Sequence, residues 1–466
     1  MSTESMMRFH RIVLVLVLVH VLGLPAAAQD VPRTPADTTR LPSPATAPVP
    51  MSLHDAVTAA STATPAVSVA VLQEEEARAR LRQARSVFFP QVNAAGSFVR
   101  RTENLKSFGF SFPLPPGQSL PDLVGPFNIW DFRPQLAQTL FDPSAWARAS
   151  AARAQVAASA GQAGTTGQTA AAQAASAYVQ LAHATALVAA RQEDLRLAGE
   201  LIRDAQAQFN AGVGTRLDVV RARTQEAEAR AAVALARTGV TQAEIALART
   251  LGLPPGTRFA LRDSLAAALG RSDAPDAIAA AEGLALAQRP ELAAAASAVS
   301  AARLAARATQ AQRLGRLQLA GDYGWNGPKP NDMIRTGQLA VQYSIPFFDG
   351  LRLEGQVQEQ QALRREAEVR LADLREQVAG EVRTALAALT SGAEQERIAA
   401  EQVALAQEEL REARLRYTNG VSGNIDVITA RADLVRARSA MIDALAQTAS
   451  ARVQLARAVG VTPSLR

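Results

Sequence analysis

Two stretches, residues 144–209 and 350–418, read as single uninterrupted helices, and few folds can accommodate them. At 1.5 Å rise per residue each makes a rod of roughly 100 Å, several times the usual globular helix. They consist mostly of Ala, Gln, Arg and Glu with scattered Leu and Val, so no stripe of bulky apolar residues runs along them. Small residues let neighbouring helices approach closely while polar ones face water, which suits a thin-walled tube of helices. A coiled-coil stalk would need large residues sustained at heptad a and d positions, and these are missing. Gly161, Gly164 and Gly167 interrupt the first rod in composition only. Spaced by three, they suit a close interhelical contact on a continuous or gently bent helix.

Both rods end in the same kind of tip. FNAGVGTRLDVVRAR (209–223) returns as YTNGVSGNIDVITAR (417–431). In the first, Gly212 and Gly214 tolerate the positive φ that ends a helix, and Thr215 offers an oxygen to cap the next. Gly212, Val213, Gly214 and Thr215 therefore form one helical-hairpin tip (210–215), and Gly420, Val421, Ser422 and Gly423 the other (418–423). Residues 209–255 align with 417–463 without a gap at roughly one-third identity. Asp218 meets Asp426 there, and Arg223 meets Arg431.

The duplication continues upstream, where Pro65 matches Pro290, Gly96 matches Gly321 and Phe98 matches Tyr323. The spacing between equivalents then falls by about 18 residues before Phe141–Asp142 meets Phe348–Asp349, which marks an insertion in the first copy. It lies within 99–128 and contains FSFPLPPGQSLPDLVGP, a long loop. The copies are 51–255 and 276–463, joined by a linker at 256–275. Further helices are expected near 52–87, 216–251, 276–313 and 424–460.

Four short stretches change from helical period to strict alternation and form two hairpins, about 90–141 and 315–348. In the second stretch Trp130, Phe132, Leu136 and Leu140 share one face, opposite Asp131, Arg133, Gln135 and Thr139. In the fourth, Leu339, Val341, Tyr343, Ile345 and Phe347 alternate with Gln338, Ala340, Gln342 and Ser344. The third sets Leu317, Leu319, Tyr323 and Trp325 against Arg316, Gln318 and Asp322, and the first, 91–99, alternates more weakly. About ten residues is the length of a tilted bilayer-crossing strand. A soluble four-stranded sheet also fits alternation, but neither rod can fold back over so small a sheet. In a bilayer every strand edge must be paired, and the smallest barrels have eight strands, so at least two chains must contribute.

The amino terminus reads as a signal peptide, residues 1–28: Arg8 and Arg11, the apolar run Ile12–Leu24, then Ala26-Ala27-Ala28 before Gln29. Residues 29–50 form a Pro-rich tether. With no cysteine in the chain, a disulfide framework, a thiolate metal site and a lipidated amino-terminal cysteine are all excluded. The pI is about 10.3, yet the cations are Arg interleaved with Glu and Asp along helices, and no nucleic-acid-binding block exists. After signal removal only His54 and His183 remain, neither with a Glu three residues before it, and no phosphate loop or nucleophile elbow is present. No enzyme and no cofactor is expected. A structural or adhesive surface trimer is the alternative to a channel, with the loop at 101–128 as its head.

The ordered set of helix, strand hairpin, long helix, tip and return helix, twice over, resembles the TolC-like outer-membrane efflux proteins. The strand exits LAQTLFDPSAWA and VQYSIPFFDGLR and the two tips carry the resemblance, which covers about 51–463. It implies a mainly α chain with transmembrane β: a homotrimeric twelve-stranded barrel in the outer membrane, continued by a long periplasmic α-helical barrel. The function implied is that of an exit duct in a tripartite efflux pump or type I secretion system, working with a periplasmic adaptor and an inner-membrane transporter. The membrane-facing residues would be Trp130, Phe132, Leu136, Leu140, Leu339, Val341, Tyr343 and Ile345, in contact with outer-membrane lipid. The tips would dock the adaptor. Asp426 matches a family gate acid, and Thr429 stands where some members carry a second, so the gate would be less acidic. For Asp218 and Asp426 a second reading stays open, since a carboxylate in a first helical turn is favoured by the helix dipole alone. Arg216 is either an ion-pair partner that holds the tip closed or a solvated charge.

Overall fold

The computed structural model describes residues 47–108, 122–265 and 269–465. The expected signal peptide, most of the tether and the middle of the inserted loop lie outside these residues.

Helices α1 (Leu53–Ala63) and α2 (Pro65–Ser86) lead to strands β2 (Gln91–Asn104) and β3 (Leu123–Phe141). Helix α3 (Pro143–Asn210) then runs unbroken for 68 residues, and α4 (Arg216–Thr250) returns beside it. The second copy repeats this order with α5 (Ile278–Gln288), α6 (Pro290–Ala311), β5 (Arg316–Gly327), β6 (Ile334–Ser344), α7 (Arg352–Thr418) and α8 (Asn424–Val459). Two three-residue strands, β1 (Val49–Met51) and β4 (Phe259–Leu261), pair in parallel. Val49 and Pro50, expected in the tether, are thus strand residues, because the linker supplies them with a pairing edge.

The helices expected at 52–87 and 276–313 are each divided in two, at the equivalent prolines Pro65 and Pro290. Thr64 (ψ 151°) and Arg289 (ψ 119°) are extended, as the residue before proline must be, and each proline opens the next helix without needing a donor. Although Leu53–Ser86 holds an 18-residue window of mean hydropathy 1.3, Pro65 splits it, and Leu53, Ala56, Val57 and Ala60 are buried against α3.

The glycines of α3 mark its closest neighbours. A Cβ on Gly161 would lie 2.8 Å from that of Ala294 on α6, and one on Gly164 would lie 3.1 Å from Pro290. Alanine dominates the largest core cluster, where α1, α3, α8, the linker and the carboxy-terminal Leu465 meet around the fully buried Tyr178. A second cluster sits at the tips and includes Leu201, Val219, Leu410, Tyr417, Val427 and Leu434.

The four long strands form one antiparallel meander in the order β2-β3-β5-β6. Residues 101–104 and 123–128, expected in the loop, extend β2 and β3, with Arg101 paired to Phe127, Glu103 to Val124 and Asn104 to Leu123, and Asn128 paired to Arg100. Ile345 and Phe347 correct the strand expectation in the other direction: β6 ends at Ser344, since Pro346 has no N–H for the ladder. Leu140 is the extra residue of a bulge, and Phe141 takes the register position opposite Leu317.

Candidate functional site

Register places one mainly apolar face on the sheet, interrupted by Gln138 opposite Leu319. Phe98 pairs with Trp130, Val92 with Leu136, Phe132 with Trp325, Leu319 with Val341 and Leu317 with Tyr343. Paired residues share a face, so Trp130, Phe132, Leu136, Leu339, Val341 and Tyr343 lie together, and all are exposed within the protomer. Large side chains cover the glycines of this face: Phe132 lies 3.5 Å from a Cβ position on Gly96, and Leu339 lies 3.1 Å from one on Gly321. The opposite face is polar. Arg133 donates from Nε to Asp131 and from Nη1 across the strands to Asp322, both at 2.8 Å. Within the protomer β2 and β6 each pair on one side only.

At the far end of α3 and α7 the two tips share one backbone device. Gly212 (φ +78°) and Gly420 (φ +70°) are left-handed. Their N–H groups donate to the carbonyls of Phe209 and Tyr417, while Val213 and Val421 donate to Gln208 and Arg416. These are paired Schellman turns. They leave Val213 79% and Val421 68% exposed, with Leu217 and its equivalent Ile425 beside them, also exposed.

The entries to the return helices differ. Thr215 and Asp218 form a capping box: Asp218 Oδ2 accepts from the Thr215 N–H at 3.0 Å and from its hydroxyl at 2.7 Å. Gly423 replaces the threonine in the second tip and gives no side-chain cap. Asp426 therefore holds the same helical position with an exposed carboxylate that has no hydrogen bond or ion pair among the described residues. Thr429, one turn on, and Arg216 are exposed, and Arg216 has no ion pair there either. Ser422 is half-buried with its hydroxyl unpartnered. The tips are tied together by Asn424, whose Nδ2 donates to the Asp218 carbonyl at 3.1 Å, and by Gln208, which donates to the Tyr417 carbonyl at 3.0 Å. Burial raises the pKa of the Tyr417 phenol, and the charges of Asp218 and Asp204 push it further up.

Behind the tips, α3, α4 and α8 border an open polar pocket of ≈ 230 Å³, lined among others by Arg191, Asp194, Glu228 and Arg431. Asp194 is 3% and Arg431 5% exposed. Arg431 donates to the Asp194 carbonyl at 2.9 Å, and Arg191 and Arg438 approach the Asp194 carboxylate at 3.4 and 3.5 Å. Burial raises the carboxyl pKa despite these three cations, and burial likewise lowers that of Arg431 despite Asp194.

The sequence pattern of the outer membrane efflux protein family matches residues 57–253 and 283–461. The chain belongs to that family. It is a channel protein of the outer membrane reaching into the periplasm, and not an enzyme. The gap in the match falls on the linker between the two copies. This family member is 27% identical over 363 residues to the outer membrane efflux protein BepC of Brucella suis, covering 73% of this chain and 77% of the relative. Its fold matches the CmeC outer membrane channel of Campylobacter jejuni with a TM-score of 0.73 at 18% identity, covering 89% and 86% of the two chains. It matches the outer membrane protein VceC of Vibrio cholerae with a TM-score of 0.72 at 19% identity, covering 88% and 96%.

Several residues of this efflux-family site escape a linear reading. Arg431 and its repeat equivalent Arg223 are indistinguishable in the alignment, yet Arg431 is buried and Arg223 exposed. Asp194 carries no mark in its helix. For Asn424 the only signal is a polar residue placed where the first copy has Arg216.

Proposed function

We propose that this protein is the exit duct of a tripartite efflux pump or type I secretion system. Three copies close a twelve-stranded barrel, their helices continue as a periplasmic tube, and a periplasmic adaptor, itself joined to an inner-membrane transporter, opens the tube at its tips. The duct is passive. One observation carries this reading: a sheet with one apolar face and both edges unpaired stands at one end of an α3 about 100 Å long, and two matched tips with exposed aliphatic residues stand at the other. An open-edged sheet cannot stand in a bilayer alone, and the β6 edge of one protomer can pair with the β2 edge of the next.

The absence of native cysteine makes the assembly simple to test. Cysteines at Ser97 in β2 and Gln338 in β6, joined by a short bismaleimide in the membrane, should give a ladder that stops at three protomers. Monomers only, or a ladder that runs past three, would contradict the closed trimer.

Within this reading Asp426, not Asp218, is the gate acid, because the Asp218 carboxylate is engaged by Thr215 and that of Asp426 is free. In planar bilayers Asp426→Asn should relieve divalent-cation block by on the order of tenfold, as the loss of a charged ring implies. Asp218→Asn should leave the block nearly unchanged and instead lower tip stability by about 1 kcal/mol through the lost cap. Equal effects on block at both positions would remove this assignment. An inserted protein that never conducts, even with the tips loosened, would favour the surface-trimer alternative.

A further inference from the structure

A groove of ≈ 400 Å³ lies between the last turn of α2 and the first turns of α3, lined among others by Arg85, Phe88, Phe89, Trp146 and Arg153. Arg85 lies in the last turn of α2 and Phe88 and Phe89 in the turn that follows it, while Trp146, Ser150 and Arg153 share one face of α3. The groove adjoins the membrane face of the sheet. Phe141, in register with Leu317 on that face, meets Trp146 edge-on with ring centroids 5.9 Å apart, and Trp146 lies 6.5 Å from Phe88. Phe89 and Trp146 are exposed. This is the depth at which aromatic side chains mark the boundary between hydrocarbon and headgroups.

Three nearby arginines are neutralised, Arg148 by Asp142, Arg352 by Asp349 and Arg313 by Glu354, while Arg316 beside Leu317 is exposed without an ion pair among the described residues but does not line the groove. Arg85 and Arg153 are exposed and have no ion pair among the described residues. The second copy lacks the arrangement, since Gln310 and Gln360 occupy the positions equivalent to Arg85 and Arg153. Two uncompensated guanidinium groups beside an aromatic-lined groove at headgroup depth complement a phosphate that carries acyl chains.

We propose that this groove binds one anionic glycerophospholipid of the periplasm-facing leaflet per protomer. Arg85 and Arg153 hold its phosphate, and Phe88, Phe89 and Trp146 cover the start of its chains. The site depends on the outer-membrane location and not on the duct's partners, so it can fail while the exit-duct reading stands.

Native mass spectrometry of the full-length protein, titrated with phosphatidylglycerol or phosphatidylcholine, tests it. The expected result is one retained phosphatidylglycerol per protomer, preferred over phosphatidylcholine on the order of tenfold. The double variant Arg85→Gln/Arg153→Gln should lose the preference, while Arg148→Gln, which removes an already paired charge, should keep it. No preference in the unmodified protein, or a preference that survives the double variant, overturns the proposal. Competition by inorganic phosphate at equal concentration would also overturn it, by making the site one for free anions. Should the double variant fail to fold, Trp130→Phe/Trp325→Phe leaves Trp146 as the sole indole. In vesicles its fluorescence should then be quenched more by bromine-labelled phosphatidylglycerol than by equally labelled phosphatidylcholine, and equal quenching counts against the site.

Discussion

Tyr178→Ala should lower stability by about 3–5 kcal/mol, the usual cost of deleting a fully buried large ring. The side chain is 0% exposed at the middle of α3. Its hydroxyl lies 3.1 Å from both the Met51 carbonyl and the Asp263 carboxylate, which also accepts from the Leu53 N–H at 2.7 Å. One side chain thereby joins the long helix to the β1–β4 pair, the start of α1 and the linker. Burial raises the phenol pKa, and the Asp263 charge adds to this, so the group remains a neutral donor. Tyr178→Phe keeps the ring and leaves Asp263 its Leu53 donor, so it should cost only about 1 kcal/mol. Thermal melts followed by far-UV circular dichroism separate the two. Similar melting of the alanine variant and the parent protein would show that this junction is held by other contacts.

Arg431→Met should be the second large effect, with a loss of about 3 kcal/mol at neutral pH, because removing one member of a buried ionic group strands the others. The stranded group is Asp194. Its native pKa already lies above the ordinary carboxylate value, so its contribution to stability is fully present below the unfolded pKa and declines as pH rises through the native one. Losing Arg431 raises the native pKa further, so the defect should be largest above that raised pKa and shrink as the medium is acidified. Arg191 and Arg438 from α3 and α8, Arg414 from α7 and Glu228 from α4 are the other charges acting on this pair. Adding Asp194→Asn should restore part of the loss at neutral pH. A defect that is independent of pH and not rescued by this second substitution would mean that Arg431 acts through packing alone. Since the network joins α8 to α3 just behind the tips, the single variant should also open more often in bilayer recordings.

What could be read along the chain was whatever has a local physical cause. Rod length follows from uninterrupted helical composition, and the strands follow from alternation that the register between Phe98, Trp130, Gly327 and their neighbours then aligns on one face. The tips follow from Gly212 and Gly420, which both adopt positive φ. Even the breaks at Pro65 and Pro290 have local causes, although helical periodicity on either side hides them. Alternation carried the fourth strand too far, through Ile345 and Phe347, because periodicity is blind to the N–H that Pro346 lacks. The three-residue pair β1–β4 left no pattern, since so short a strand exists only by virtue of its partner.

The sequence by itself determined the duplication, the order of helices and strands, the apolar face of the sheet and the two glycine turns, because each rests on neighbours within a few residues. Only the tertiary structure decided that Arg431 is buried while Arg223 is exposed, that Asn424 and Gln208 tie the tips together, and that Arg85 and Arg153 border one groove. Burial and pairing depend on what a distant segment brings to a position. The thin helical layer makes that dependence acute, because a shift of one helix can expose a charge or enclose it.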